Sequence, residues 1–106
     1  MGSARAARLR AELDAARARV QLEVRSEFEA YDRRLAAVRI LEAEAIAGLD
    51  ENEQLTTRSF EVGQLGLPDL LLIRRAIFDT RSEYLAALLE AALARIDLDA
   101  NAGVLR

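Results

Sequence analysis

The 106-residue chain contains no cysteine, histidine, lysine or tryptophan, only one proline and only five glycines. Without cysteine, disulfides are excluded and no thiol reports a redox compartment. Without histidine or cysteine, a soft or imidazole metal site is excluded, and Ser26, Ser59 and Ser82 have no imidazole to activate them as nucleophiles. The carboxylate pairs Glu23/Glu27 and Asp79/Glu83 stand one helical turn apart, a spacing that di-iron helices use, but those sites add histidine at a set spacing. No metal, no cofactor and no enzymatic role are expected. No run approaches the roughly 18 consecutive apolar residues of a membrane span, and the N-terminus lacks the apolar core of a signal peptide. Period-two alternation is never sustained and aromatics make up only 5%, which leaves little from which to build a sheet.

What is present is 52% apolar and 31% charged, dominated by Ala, Leu, Arg and Glu, a composition that predicts an all-α fold. The net charge of −3 supplies no global positive field to draw in nucleic acid. Charge is unevenly spread: residues 1–39 hold nine Arg against six acids, 40–63 one Arg against six acids, and 64–106 five Arg against six acids. Residues 40–63 are therefore the acidic part of the chain.

Two amphipathic helices are predicted. From Ala4 to about Val62 a stripe of Leu9, Leu13, Ala16, Val20, Val24, Phe28, Tyr31, Leu35, Val38, Leu41, Ala45, Leu49 and Leu55 recurs mostly at three- and four-residue steps. Alanines widen that stripe so that helices can approach on more than one side. Unbroken, such a helix is on the order of 85 to 90 Å long at 1.5 Å per residue. Its weak point is Ala47-Gly48-Leu49-Asp50-Glu51-Asn52, where a continuous or bent helix is favoured over a break that makes a three-helix bundle. Helix two, about Pro68 to Ala100, carries two apolar rows, one through Leu70, Ile73, Ile77, Tyr84, Leu88 and Ala91 and another through Leu71, Phe78, Leu85, Leu89, Ala92 and Ile96. Both rows call for partners, and the shorter second helix leaves one end of helix one unaccompanied. Asn101-Ala102-Gly103 is expected to end helix two, with Val104 to Arg106 starting a further segment, and Met1-Gly2-Ser3 reads as an expression leader.

Between the helices lies Ser59-Phe60-Glu61-Val62-Gly63-Gln64-Leu65-Gly66-Leu67-Pro68-Asp69. Gly63 can adopt the left-handed conformation that closes a helix. Pro68 fits a first helical turn, and Asp69 sets a negative charge beside that turn's unpaired N–H groups. The stretch is predicted to be the tip of a hairpin, with Leu65 and Leu67 either folded back on it or meeting a partner. Arg74-Arg75 is expected to be solvated or to bridge to acids on the neighbouring helix, and Glu29/Arg33 to form a helix-supporting i,i+4 pair.

Phe60-Glu61-Val62-Gly63, then Leu67-Pro68-Asp69-Leu70-Leu71, Arg75 and Tyr84-Leu85-Ala86-Ala87-Leu88, resembles the outer-membrane efflux proteins, the TolC-like channels, and is most similar to their heavy-metal efflux, CzcC-like branch. The resemblance covers most of residues 20–103 and implies the second helical hairpin of the periplasmic tunnel domain. In that family trimerised hairpins form an α-helical tunnel whose tips close the channel and dock a periplasmic adaptor. It implies that Val62, Gly63, Gln64, Leu65 and Gly66 form the adaptor-docking tip, Phe60 a gating aromatic and Asp69 an acidic constriction. Leu72 stands where some members have a second acid. The resemblance also implies a homotrimer in the full-length parent, an outer-membrane protein whose periplasmic part this is. An independent helix-turn-helix protein that dimerises into a four-helix bundle is the alternative, and a cofactor-free three-helix scaffold broken at Gly48 is a further one. The isolated chain is expected to self-associate, as a homodimer through helix one or as another homo-oligomer.

Overall fold

The computed structural model describes residues 2–104. Met1 of the expected leader, and Leu105 and Arg106, lie outside the described residues. The chain is an all-α helical hairpin: α1 spans Gly2–Leu41, a π-helical turn Glu42–Ile46, α2 Leu49–Glu61 and α3 Leu67–Val104. No helix among the described residues is long and apolar enough to cross a membrane. The fold divides into two compact units, a tip-side unit of Arg34–Ala91 and a second unit formed by the described residues on either side of it.

In the tip-side unit the partners run in opposite directions. Arg34 Nη1 donates to the Glu90 carbonyl at 3.4 Å, Tyr84 Oη to Glu42 at 2.6 Å, Arg81 to Asp50 and Glu53 at 2.9 and 2.7 Å, and Arg74 to Thr57 Oγ1 at 3.5 Å. Partner numbers on α3 fall as numbers rise from Arg34 to Thr57, so both segments flanking Gly48 run antiparallel to α3. The core is the seam between them: Val38, Leu49, Leu70, Ile77 and Ala91 are buried. On α3, buried and half-buried Leu70, Ile77, Tyr84 and Ala91 recur every seven residues, with Ile73, Thr80 and Ala87 between them. That period of 3.5 is the seam pattern of a coiled coil.

Helix one keeps its course as the bent form expected at Gly48, but an unbroken helical backbone is corrected, because the backbone is interrupted before Leu49. Ala47 N–H reaches back five residues to the Glu42 carbonyl at 2.9 Å, the π-helical bond. Ala47 then leaves the helix at φ −59°, ψ 125° and Gly48 follows at φ 81°, ψ −1°. Those angles match the central residues of a type II turn, about −60°, 120° and 80°, 0°, whose second centre favours glycine. The new helix restarts with Asn52 N–H bonded to the Gly48 carbonyl at 3.0 Å. The break does not create a three-helix bundle, since α2 continues along α3 in the direction α1 held.

In the second unit Val20, Val24, Glu27, Ala30 and Tyr31 of α1 are half-buried, and Ala94 and Leu98 of α3 are buried. Arg95 stacks its guanidinium over the Tyr31 ring at 5.5 Å. Asn101 Nδ2 donates to Glu27 Oε1, while Glu27 Oε2 is buried without a partner among the described residues. This seam overrides the expected stop near Ala100: Asn101 and Ala102 stay half-buried, Gly103 keeps a negative φ, and α3 runs on to Val104. Every residue from Gly2 to Arg19 is exposed. Leu9 and Leu13 of the expected stripe are therefore uncovered; Phe28 is also exposed, and so is Leu55, because Glu53, Thr56 and Thr57 occupy the seam after Leu49.

Candidate functional site

The hairpin tip is closed by its own backbone. Val62 caps α2, and Gly63 adopts φ 81° with open space around its missing Cβ. Gly63 N–H donates to the Phe60 carbonyl at 3.1 Å and Gln64 N–H to the Ser59 carbonyl at 2.9 Å. This is the paired bonding of a Schellman motif, which satisfies carbonyls the helix end leaves free. Leu65 N–H shares the Ser59 carbonyl at 3.2 Å, and two residues later α3 begins, its first bond running from Leu70 N–H to the Gly66 carbonyl at 3.0 Å. Pro68 and Asp69 fall in that first turn as expected, and Gly66 lies 3.7 Å, by an added Cβ, from the Pro68 ring.

This closure determines which side chains face outward. Val62 is 63% exposed and Phe60 38%, and Gly63, Gln64, Gly66 and Asp69 are exposed as well. The two leucines divide between the outcomes anticipated for them: Leu65 turns back, half-buried, and Leu67 stays exposed. The tip thus brings Phe60, Val62, Gln64 and Asp69 to one end of the hydrogen-bonded turn.

Beside the tip, one face carries a groove of 480 Å³ whose apolar lining is Leu49, Leu55, Leu65, Ile73, Ala76 and Ile77. Asn52, Thr56, Ser59 and Thr80 complete its wall. Across α2 a second groove of 430 Å³ is lined by Asp50, Glu53, Gln54, Thr57, Arg58 and Glu61. Arg81 reaches across from α3 between Asp50 and Glu53, and the hydrogen bond to Glu53 is the main cause holding its guanidinium above its ordinary value. Arg81 was not singled out by the sequence, because its role depends on the register between helices. Arg74-Arg75 takes the solvated outcome of the two expected for it: both are exposed, Arg74 meets Thr57, and Arg75 pairs within its own helix with Asp79 at 3.3 Å, while the bridge to acids on the neighbouring helix is made by Arg81. The Glu29/Arg33 pair is not among the ion pairs of the described residues. Nor do the described residues gather three or more His, Cys, Asp or Glu into a potential metal site.

On α3 the first apolar row lies in the seam except for Leu88, which is 36% exposed, and the second row does not enter it. Leu71, Phe78, Leu85 and Leu89 of the tip-side unit stand outward, all more than half exposed. The class defined by these features is a two-helix hairpin with a closed apolar tip and an uncovered apolar flank. Comparison with known family models, with curated proteins and with solved structures finds no match.

Proposed function

We propose that the chain is a periplasmic hairpin of a trimeric outer-membrane efflux channel of the TolC-like kind, contributing to the tunnel wall and docking the periplasmic adaptor at its tip. The observation that carries the reading is the tip itself. The carbonyls that end α2 are satisfied within the turn, by the N–H groups of Val62, Gly63, Gln64 and Leu65, and the same turn presents Val62 and Phe60 to solvent. Apolar side chains on a preorganised end bind with little ordering cost. The outward row of Leu71, Phe78, Leu85 and Leu89 supports lateral packing against neighbouring hairpins, as a tunnel wall requires. Under this reading Asp69 faces the constriction and Phe60 the gate.

The test is Val62→Asp in the full-length parent. A charge on an exposed turn residue leaves the fold intact, so the trimer and its helical signal should persist while adaptor co-purification falls at least tenfold. Undiminished adaptor capture would remove the docking assignment. A parent that is complete as a dimeric four-helix bundle would replace the channel reading altogether.

A further inference from the structure

The first eighteen described residues and the groove beside the tip have complementary chemistry. Gly2–Arg19 forms the start of α1, and every one of its residues is exposed among the described residues. It carries five Arg against Glu12 and Asp14, a net +3. One side presents Ala6, Leu9, Leu13 and Ala16 at three- and four-residue steps, with Arg5, Arg10 and Arg17 each one helical turn from a stripe leucine. The groove offers the reverse. Its floor is apolar, with Leu55 57% exposed at its edge. Exposed acids lie one turn from its lining, Glu51 before Leu55, Asp69 before Ile73 and Glu83 after Thr80, with Glu61 and Asp79 at the same remove. They outnumber the exposed cations so placed, Arg58 after Leu55 and Arg74 before Ile77. Apart from Asp79, none of these charged residues takes part in an ion pair among the described residues.

We infer that the groove is an acceptor for the N-terminal stretch of a second copy of this chain, which lays its Leu9/Leu13 face on Leu55 and Ile73 with its arginines over the acidic rim. This is helix-in-groove recognition, in which residues at i, i+4 and i+7 supply the anchors. Arginine suits the rim because its fork pairs carboxylates bidentately. Each copy holds one donor stretch and one acceptor groove, so two copies carry two matching pairs. The inference does not depend on the channel reading.

The absence of cysteine permits a direct test. Leu9→Cys or Leu13→Cys chains are mixed with Leu55→Cys or Ile73→Cys chains and treated with a short bismaleimide. Cross-linked heterodimers are expected from these mixtures and not from Leu13→Cys mixed with Phe78→Cys, which lies on the outward row of α3. Sedimentation across the micromolar range should show a dimer that Leu13→Glu weakens on the order of tenfold, with helical content unchanged because Leu13 is an exposed helix position. Raised salt should weaken the dimer too, as exposed charge pairs are screened. A monomer at every concentration, cross-linking confined to Phe78, or failure of all four mixtures would each overturn the inference.

Discussion

Gly48 and Gly63 share one backbone angle, φ 81°, in two different roles. At Gly63 it ends α2 and turns the chain over, and at Gly48 it completes a turn set inside a helical path. Neither position has an atom within 4 Å of where a Cβ would stand, so alanine at either suffers only the left-handed backbone cost. Gly48→Ala and Gly63→Ala should each lower stability by about 1 kcal/mol, read as matched shifts in the urea midpoint. The two substitutions should also add, since the sites share no partner. Tyr84 provides the pH-sensitive contact at this scale. The hydrogen bond its phenol donates to Glu42 is the main cause raising its pKa above 10.0, with desolvation and the Glu42 charge acting in the same direction. The neutral phenol is the form that makes the bond. Its contribution is therefore complete below the unfolded pKa and disappears as pH rises through the higher folded one. In a Tyr31→Phe background the remaining phenol should titrate above 10.0 by ultraviolet absorbance, and Glu42→Gln should bring it back toward that value.

At the scale of the element, α3 is the helix that organises the tip-side unit, and its two rows have opposite fates. Ile77 is 7% exposed and Phe78, its neighbour in sequence, 65%. Ile77→Ala should cost about 2 kcal/mol, the low end for a buried aliphatic because a two-helix seam is shallow. Phe78→Ala should stay within about 0.5 kcal/mol in dilute solution. Chemical denaturation of the two variants side by side checks the assignment of rows. Both rows were legible as apolar patterns, since both recur at helical spacing. Which row meets the partner helix was not, because two heptad-spaced rows on one helix look alike until register is fixed. The same ambiguity made Leu55 read as a seam residue. After the type II turn, Glu53 and the Thr56/Thr57 pair rotate into the seam, and their polarity is accommodated by Arg81 and by hydroxyls bonded back to the Asn52 and Glu53 carbonyls.

For the whole molecule, the all-α hairpin and its closed tip could be read in advance because each signal was local: Gly63 to stop, Pro68 and Asp69 to start. The interruption at Gly48 was only half legible. A lone glycine in a helical pattern costs about 1 kcal/mol, which a long helix tolerates, and nothing nearby in sequence revealed that Ala47 leaves the helical region. The run of α3 through Gly103 was missed for the opposite reason, since a plausible local stop was overruled by the bond from Asn101 to Glu27 and the partial burial of Asn101 and Ala102. Of the expected site residues, the tip positions Phe60 through Asp69 lie together as anticipated, whereas Arg81 and the groove between α2 and α3 emerge only once the helices are paired. The channel reading rests on the tip and the uncovered flank, and adaptor capture by the Val62 variant is its decisive measurement.

The Ala47-Gly48 turn also divides the chain as a cooperative system. Helical order propagates by adding one bond to an existing turn and is costly to nucleate, so a continuous helix transmits order along its length. Here that transmission stops: the ladder of α1 ends in the π-turn, and α2 must be nucleated on its own. With 13 residues, α2 is near the length of about 12 to 15 at which an isolated helix is marginal in water. Its persistence is therefore conferred sideways, by Leu49 in the seam and by Arg81 reaching over from α3. Melting of the tip can begin in α2 without spreading into α1, leaving the far part of the hairpin formed while the end that carries Phe60 and Val62 rearranges.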